Sequence, residues 1–222
     1  MKQSTGNMYE WINVTWNPIK GKCSHDCLYC YMKRFPQKPI RLDQKTLNEE
    51  LGTSKVIFVG SSTDVFANDV PDEWIEAVLN KCIASRGNTF LFQTKNPKRL
   101  QLFKPYFEKL KASGSELILG TTIETNRYDK KIMGNSPTLI ERATYLGQLD
   151  YQTMVTIEPI MDFDLEPFIE LLKIAKPTWV NIGADSKGHK LPEPSNEKVG
   201  LLIIELQKFT EIRKKTNLDR LK

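Results

Sequence analysis

The sequence predicts an α/β fold: a partial (β/α)6 TIM-like barrel with parallel strands. Two observations predict it. Short runs rich in Val, Ile, Phe and Thr alternate with longer amphipathic segments, and no long linker or low-complexity stretch interrupts them. The short runs have the apolar, β-branched and aromatic content of strands covered on both faces. Strands and helices alternating at this length favour parallel pairing through right-handed crossovers.

The first strand is expected at 12–16, with a weaker first helix at 44–51. Strand 56–60 precedes helix 73–84, whose start is marked by Pro71-Asp72. Strand 89–94 leads into helix 97–111, opened by Asn96 as cap and Pro97 in the first turn. Strand 117–121 precedes helix 137–147, with Ser136 before it. Strand 153–157 precedes helix 165–175, for which Asp162 and Asp164 are the expected caps. Strand 179–182 is followed by a helix at 197–215 behind Asn196. Six units rather than eight leave a barrel with an open side, and chemistry in such folds sits at the carboxyl ends of the strands. One domain is expected over 1–222, with its core at about 10–185 and a C-terminal helix at about 196–216.

Of the 222 residues 40% are hydrophobic and 27% charged, ordinary values for a globular protein able to bury a core. No apolar run approaches the ~18 residues of a membrane span, and the first residues lack the apolar stretch of a secretory signal. A cytoplasmic location is therefore expected. The net charge of +5 is compatible with a polyanionic partner without demonstrating one. The run Arg213-Lys214-Lys215 reads as a solvated helix end, where cations suit the dipole.

Three of the four cysteines fall within eight residues: Cys23-Ser24-His25-Asp26-Cys27-Leu28-Tyr29-Cys30. In a reducing compartment such a cluster reads first as metal ligands. The spacing is C-x3-C-x2-C, directly after the first strand. A loop of this length wraps three thiolates around one face of a [4Fe–4S] cube and leaves one iron open. Zinc is the competitor. It prefers four ligands in two separated pairs, and here only His25 stands nearby, badly placed between the first two cysteines. Cys82 reads as a buried free thiol.

The triple, with aromatic Tyr29 before its last cysteine, resembles the radical S-adenosylmethionine superfamily. The segments Trp16-Asn17-Pro18, Gly60-Ser61-Ser62-Thr63-Asp64, Gln93-Thr94-Lys95-Asn96-Pro97, Thr122-Ile123-Glu124, Thr156-Ile157-Glu158-Pro159 and Asn181-Ile182-Gly183 look like a phage- and microbe-encoded branch of the DUF5131 type. The substrates of that branch are undefined. A more distant likeness is to spore photoproduct lyase, which shares the cysteine spacing.

The resemblance implies a [4Fe–4S] cluster on Cys23, Cys27 and Cys30 whose open iron chelates the amino and carboxylate groups of S-adenosylmethionine. A one-electron reductant of the flavodoxin or ferredoxin kind then drives cleavage to a 5′-deoxyadenosyl radical. It places Tyr29 near the adenine. Ser62, Thr63 and Asp64 stand where family members meet the methionine amino group, although this chain has hydroxyls and an acid there instead of paired glycines. Lys95, beside Thr94, points into the barrel mouth or is a solvated helix-start lysine. Thr122 and Glu124 stand at the ribose position, the alternative for Glu124 being a pairing with Arg127. Asn126 and Arg127 are candidates for the methionine carboxylate, Glu158 for substrate or cofactor, and Gly183 for the adenine edge. His189 and Lys190 are expected to face solvent.

Two functions stay open on sequence. One is a radical enzyme of unknown substrate, with a nucleic acid, a nucleotide or a partner protein in play. The other is a non-catalytic zinc- or cluster-bearing nucleic-acid module, which calls for a denser basic face interleaved with aromatic residues.

Overall fold

The computed structural model describes residues 1–3 and 8–221. It begins with strands β1 (Lys2–Gln3), β2 (Val14–Trp16) and β3 (Ile19–Lys20), then β4 (Arg41–Leu42) and helix α1 (Gln44–Leu47). The repeating units follow: β5 (Val56–Val59) with α2 (Asp72–Ala84), then β6 (Thr89–Gln93) with α3 (Pro97–Leu100) and α4 (Lys104–Ala112). Next come β7 (Glu116–Thr122) with α5 (Lys130–Met133) and α6 (Leu139–Gly147), and β8 (Gln152–Ile157) with α7 (Leu165–Ala175). The last are β9 (Trp179–Ile182), α8 (Asn196–Leu206) and β10 (Glu211–Lys214).

Among the described residues one eight-stranded sheet runs β1-β2-β5-β6-β7-β8-β9-β10. Strand β1 joins it antiparallel and all later pairings are parallel, so the expected partial TIM-like barrel is observed. Side chains alternate strictly between its faces. Ile57, Val59, Phe90, Phe92, Leu119 and Val155 join the large core beneath the helices. Phe58, Leu91, Ile118, Met154 and Trp179 form a second core on the concave face, into which Tyr9 and Ile12 pack. The N-terminal segment thus plugs the barrel floor. One step further along the strands the concave face turns polar at Gln93, Thr122, Thr156 and Asn181. No helix is long and apolar enough to cross a membrane among the described residues.

Four local expectations need correction. The helix expected at 197–215 ends at Leu206, and the chain returns as a seventh parallel strand, β10, on β9. Tertiary packing overrides the basic, helix-like pattern there: Ile212 packs against the large core, and the Arg213 guanidinium lies 4.2 Å from the centre of the Trp179 ring. The helix expected at 97–111 is split by a 3-10 turn at Gln101–Phe103, because Pro105 in the first turn of α4 lacks an N–H to continue the ladder. Helix α6 is capped by Thr138 and Glu141 in a reciprocal box, not by Ser136, whose hydroxyl accepts from Arg142 instead. Asp164 sits at the N-cap of α7 without making a cap bond, and its carboxylate takes Arg127 and Asn126.

Candidate functional site

The cysteine loop is bracketed before it begins and after it ends. Strand β3 pairs with β4 across it, and Lys22 N donates to Lys38 O at 2.8 Å. Its outer side rests on the turn after α5. Leu28 N donates to Ile132 O (2.8 Å) and Asn135 N to His25 O (2.7 Å). Gly134, at φ 64°, makes this approach possible, since a Cβ there would lie 2.1 Å from the His25 carbonyl oxygen. The loop therefore has a fixed path over the carboxyl ends of the strands.

Cys23, Cys27 and Cys30 all line one cavity of about 550 Å³ at that end of the barrel. Burial, reinforced by the Asp64 charge, pushes the Cys23 thiol up to about 12, and burial pushes Cys27 up as well. Thiols so placed are poor nucleophiles unless a cation lies beside them. Among the described residues no three His, Cys, Asp or Glu side chains converge on one point to hold a single ion. His25 does not join the cysteines. Its Nε2 lies 2.8 Å from Asp64 Oδ2, and the ring is buried. Asp26 is occupied at the surface by Lys33 (2.8 Å) and Lys22 (3.5 Å).

Two acids behind the loop tie it to the barrel. Besides His25, Asp64 accepts from Thr94 Oγ1 (3.0 Å), Lys95 N (2.9 Å) and Phe66 N (2.9 Å). Burial alone would raise its carboxyl, but His25 and these donors outweigh burial and hold it below the ordinary value. Glu124 is wholly buried together with Arg142, whose Nη1 donates to it at 2.9 Å. Lys95 Nζ and the Tyr29 hydroxyl both donate to Glu124 Oε1, and Lys95 also reaches the Tyr29 oxygen at 2.7 Å. Burial pushes Glu124 up, yet Lys95 and Arg142 bring it down to about 2. The arrangement is one buried cluster of four charged or polar groups, with Tyr29 as the member from the cysteine loop.

The opposite wall is built from the last strands. Glu158 accepts from Lys215 Nζ (2.6 Å) and Asn217 Nδ2 (2.9 Å). Asp185 accepts from Lys187 N (3.0 Å), from His189 N and from the His189 ring, with Nδ1 at 2.7 Å. Between the walls Tyr9 donates to Gln93 Oε1 (2.7 Å) and lies 2.6 Å from Thr156 Oγ1, while Gln93 donates to Thr122 Oγ1 (3.0 Å).

Most of the residues expected from sequence meet here. Tyr29, Ser62, Thr63, Asp64, Thr94 and Lys95 line the cavity, as do Thr122 and Glu158. Thr63 is turned to Gly21 O (3.0 Å), and Ser62 N donates to Asn17 Oδ1 (2.9 Å). Lys95 is not a solvated helix-start lysine, being committed to Glu124 and Tyr29. Three others are placed differently. Glu124 pairs with neither ribose-facing space nor Arg127, but with Arg142 and Lys95 behind the wall. Arg127 stands half exposed, bound to Asp162 and Asp164 away from the cavity. Gly183 leaves room for the Glu158 carboxylate, which a Cβ would approach to 2.9 Å, and its N–H goes to Ile157 O. His189 lines the cavity, although Lys190 does not. Tyr9 and Arg142 escape the sequence reading, while Gln93 stands there only inside a motif and Lys215 only as part of a solvated helix end. Gln93 and Lys215 carried a signal in their position at or just past a strand's carboxyl end, but Tyr9 and Arg142 come from segments that carried no motif.

Comparison with solved structures places this fold beside two variants of spore photoproduct lyase. One matches with a TM-score of 0.63 at 13% identity, covering 96% of this chain and 80% of that one. The other matches with a TM-score of 0.54 at 12% identity, covering 90% and 73%. At such identity the likeness concerns the fold. No curated protein matches the sequence significantly. A family model described as "Protein of unknown function (DUF5131)" matches residues 7–194, so the chain belongs to that family.

Proposed function

We propose that the protein is a radical S-adenosylmethionine enzyme holding a [4Fe–4S] cluster on Cys23, Cys27 and Cys30. The observation that carries this reading is that all three cysteines line one cavity at the carboxyl ends of parallel strands. The donor set fits the cluster. His25 and Asp26 are engaged elsewhere, so the loop offers three soft sulfurs to the cavity. Three sulfurs are one short of a structural zinc site, whereas a cube spreads them over separate irons and keeps a fourth iron open.

When bound, the cluster and S-adenosylmethionine would supply one-electron cleavage to a 5′-deoxyadenosyl radical. The chain's own part is to hold and orient. Asp64 fixes the cysteine loop through His25 and fixes the end of β6 through Thr94 and the Lys95 amide. Tyr29, locked by Lys95 and Glu124, gives the loop wall a rigid aromatic face suited to a purine. Ser61, Ser62, Gln93 and Thr122 offer hydroxyls and an amide for the polar parts of the cofactor. Glu158 and the Asp185–His189 pair face the remaining space, where a substrate would lie. Tyr9 and the apolar floor exclude water from below.

Anaerobic reconstitution of the whole chain tests the reading. Expected are on the order of four irons and four sulfides per chain, absorbance near ~400 nm, and 5′-deoxyadenosine after reduction with S-adenosylmethionine. A colourless protein with one zinc per chain favours the non-catalytic nucleic-acid module and removes the enzyme.

A further inference from the structure

We propose that residues 31–38 are a docking strip for single-stranded nucleic acid, which delivers one unpaired nucleotide into the cavity as substrate. The reaction rests on the radical reading above; the binding does not.

Four observations converge on this strip. From Cys27 to Leu42 the chain has no Asp or Glu; Lys33 is taken by Asp26, while Arg34, Lys38 and Arg41 make no ion pair among the described residues. Tyr31 and Phe35, 38% and 47% exposed, present two aromatic rings on either side of Arg34 in the sequence. The Arg34 guanidinium lies 4.9 Å from the Phe35 ring centre and 6.0 Å from that of Tyr31, and it pairs with no carboxylate among the described residues. The strip is also rigid. Tyr31 donates to Ser61 O (2.9 Å), and Gln37 Nε2 donates to Met32 O (2.7 Å) and Phe35 O (2.9 Å). A preformed strip loses little freedom on binding.

Its position gives it a role. Tyr31 directly follows Cys30, and Tyr31, Lys33, Arg34 and Gln37 border the same cavity as the cysteines, with Lys187 on that border too. Cations attract phosphates, and exposed aromatic and guanidinium planes stack bases without regard to sequence. An acidic peptide would use the cations and leave the ring planes idle. The single strand follows from depth. The thiols lie half-buried to buried, and a stacked, paired base does not reach into such a cavity, whereas an unpaired one does.

The test is fluorescence anisotropy on the reconstituted full chain. The probes are labelled single-stranded DNA and RNA of about a dozen nucleotides, a duplex of the same length and a poly-glutamate peptide. Expected are single strands binding at least about tenfold tighter than duplex or peptide, with affinity falling as salt rises. A preference for DNA or for RNA identifies the sugar. The double variant Arg34→Ala/Phe35→Ala is expected to weaken binding about tenfold or more, at unchanged iron and sulfide content. Arg34→Glu, a second variant at an exposed position, is expected to weaken it further at low salt. Bound strand is also expected to raise 5′-deoxyadenosine formation. Equal binding of peptide or duplex, or unchanged binding by both variants, overturns the strip. Tight binding with no rise in 5′-deoxyadenosine on a loaded cluster overturns the substrate assignment. The Cys27→Ala chain separates the two proposals: strand binding retained without iron leaves the strip standing even if the radical reading falls.

Discussion

The two walls of the cavity differ in the number and burial of the groups that hold their acids. On the cysteine-loop wall, Asp64 and Glu124 join parts of the chain far apart in sequence, and their partners occupy them from several elements at once. On the opposite wall, Asp185 is satisfied by residues two and four positions onward, and Glu158 by the sequence-distant Lys215 and Asn217, which lie just past the edge strand β10. The first wall is therefore a scaffold completed by the fold itself, suited to holding the cysteine loop in one geometry. The second depends on a loop and an edge strand, the parts of an α/β fold that tolerate adjustment.

The largest contrast comes from the proposed cluster ligands. Cys27→Ala is expected to abolish iron and sulfide uptake and 5′-deoxyadenosine formation together, measured after reconstitution; uptake at the original level would remove the cluster assignment. Arg142→Met comes next. It leaves Glu124 buried with Lys95 as its remaining cation, and loss of a partner from a buried pair costs about 3–5 kcal/mol, readable by urea unfolding.

The pH dependence sharpens the same point. Glu124 has its carboxyl held at about 2 against an ordinary 4.5. Its contribution is complete above pH 4.5 and is lost as pH falls from there towards 2, because over that window the unfolded chain binds a proton that the folded carboxylate refuses. Unfolding midpoints are expected to drop across that window, and Glu124→Gln, less stable at neutral pH, to drop less. Asp64→Asn is expected to cost about 1.5–3 kcal/mol, since the amide NH2 meets donors where the carboxylate accepted, and to lower cluster content. The smallest effect belongs to the far wall. Lys215→Met is expected to cost about 1–2 kcal/mol while cluster content stays at the wild-type level, because Asn217 still holds Glu158. A loss of iron in that variant would erase the distinction between the walls.

Much of the barrel was legible because each strand announced itself by a dense apolar run ending in a polar or glycine-containing motif. Trp179–Ile182 and Leu165–Ala175 fall at the residues expected. The end of the chain was not legible in this way. Residues 213–215 are basic enough to read as a solvated helix terminus, and only the Trp179 face beside them shows why they join a sheet. Likewise Glu124 reads in sequence as the acid at the ribose position, with a pairing to Arg127 three residues away as the alternative. The residue that neutralises it, Arg142, lies one helix further on, in a stretch with no motif.

The sequence by itself determined the alternation of strands and helices, the cysteine triple and the carboxyl-end placement of the polar motifs. These depend on local spacing and on the period of side-chain direction, which one dimension records. Only the tertiary structure decided which acid meets which cation, that His25 turns to Asp64, and that Tyr9 and Lys215 reach the cavity. Burial sets the strength of each such pairing, and burial exists only once distant segments have closed around it.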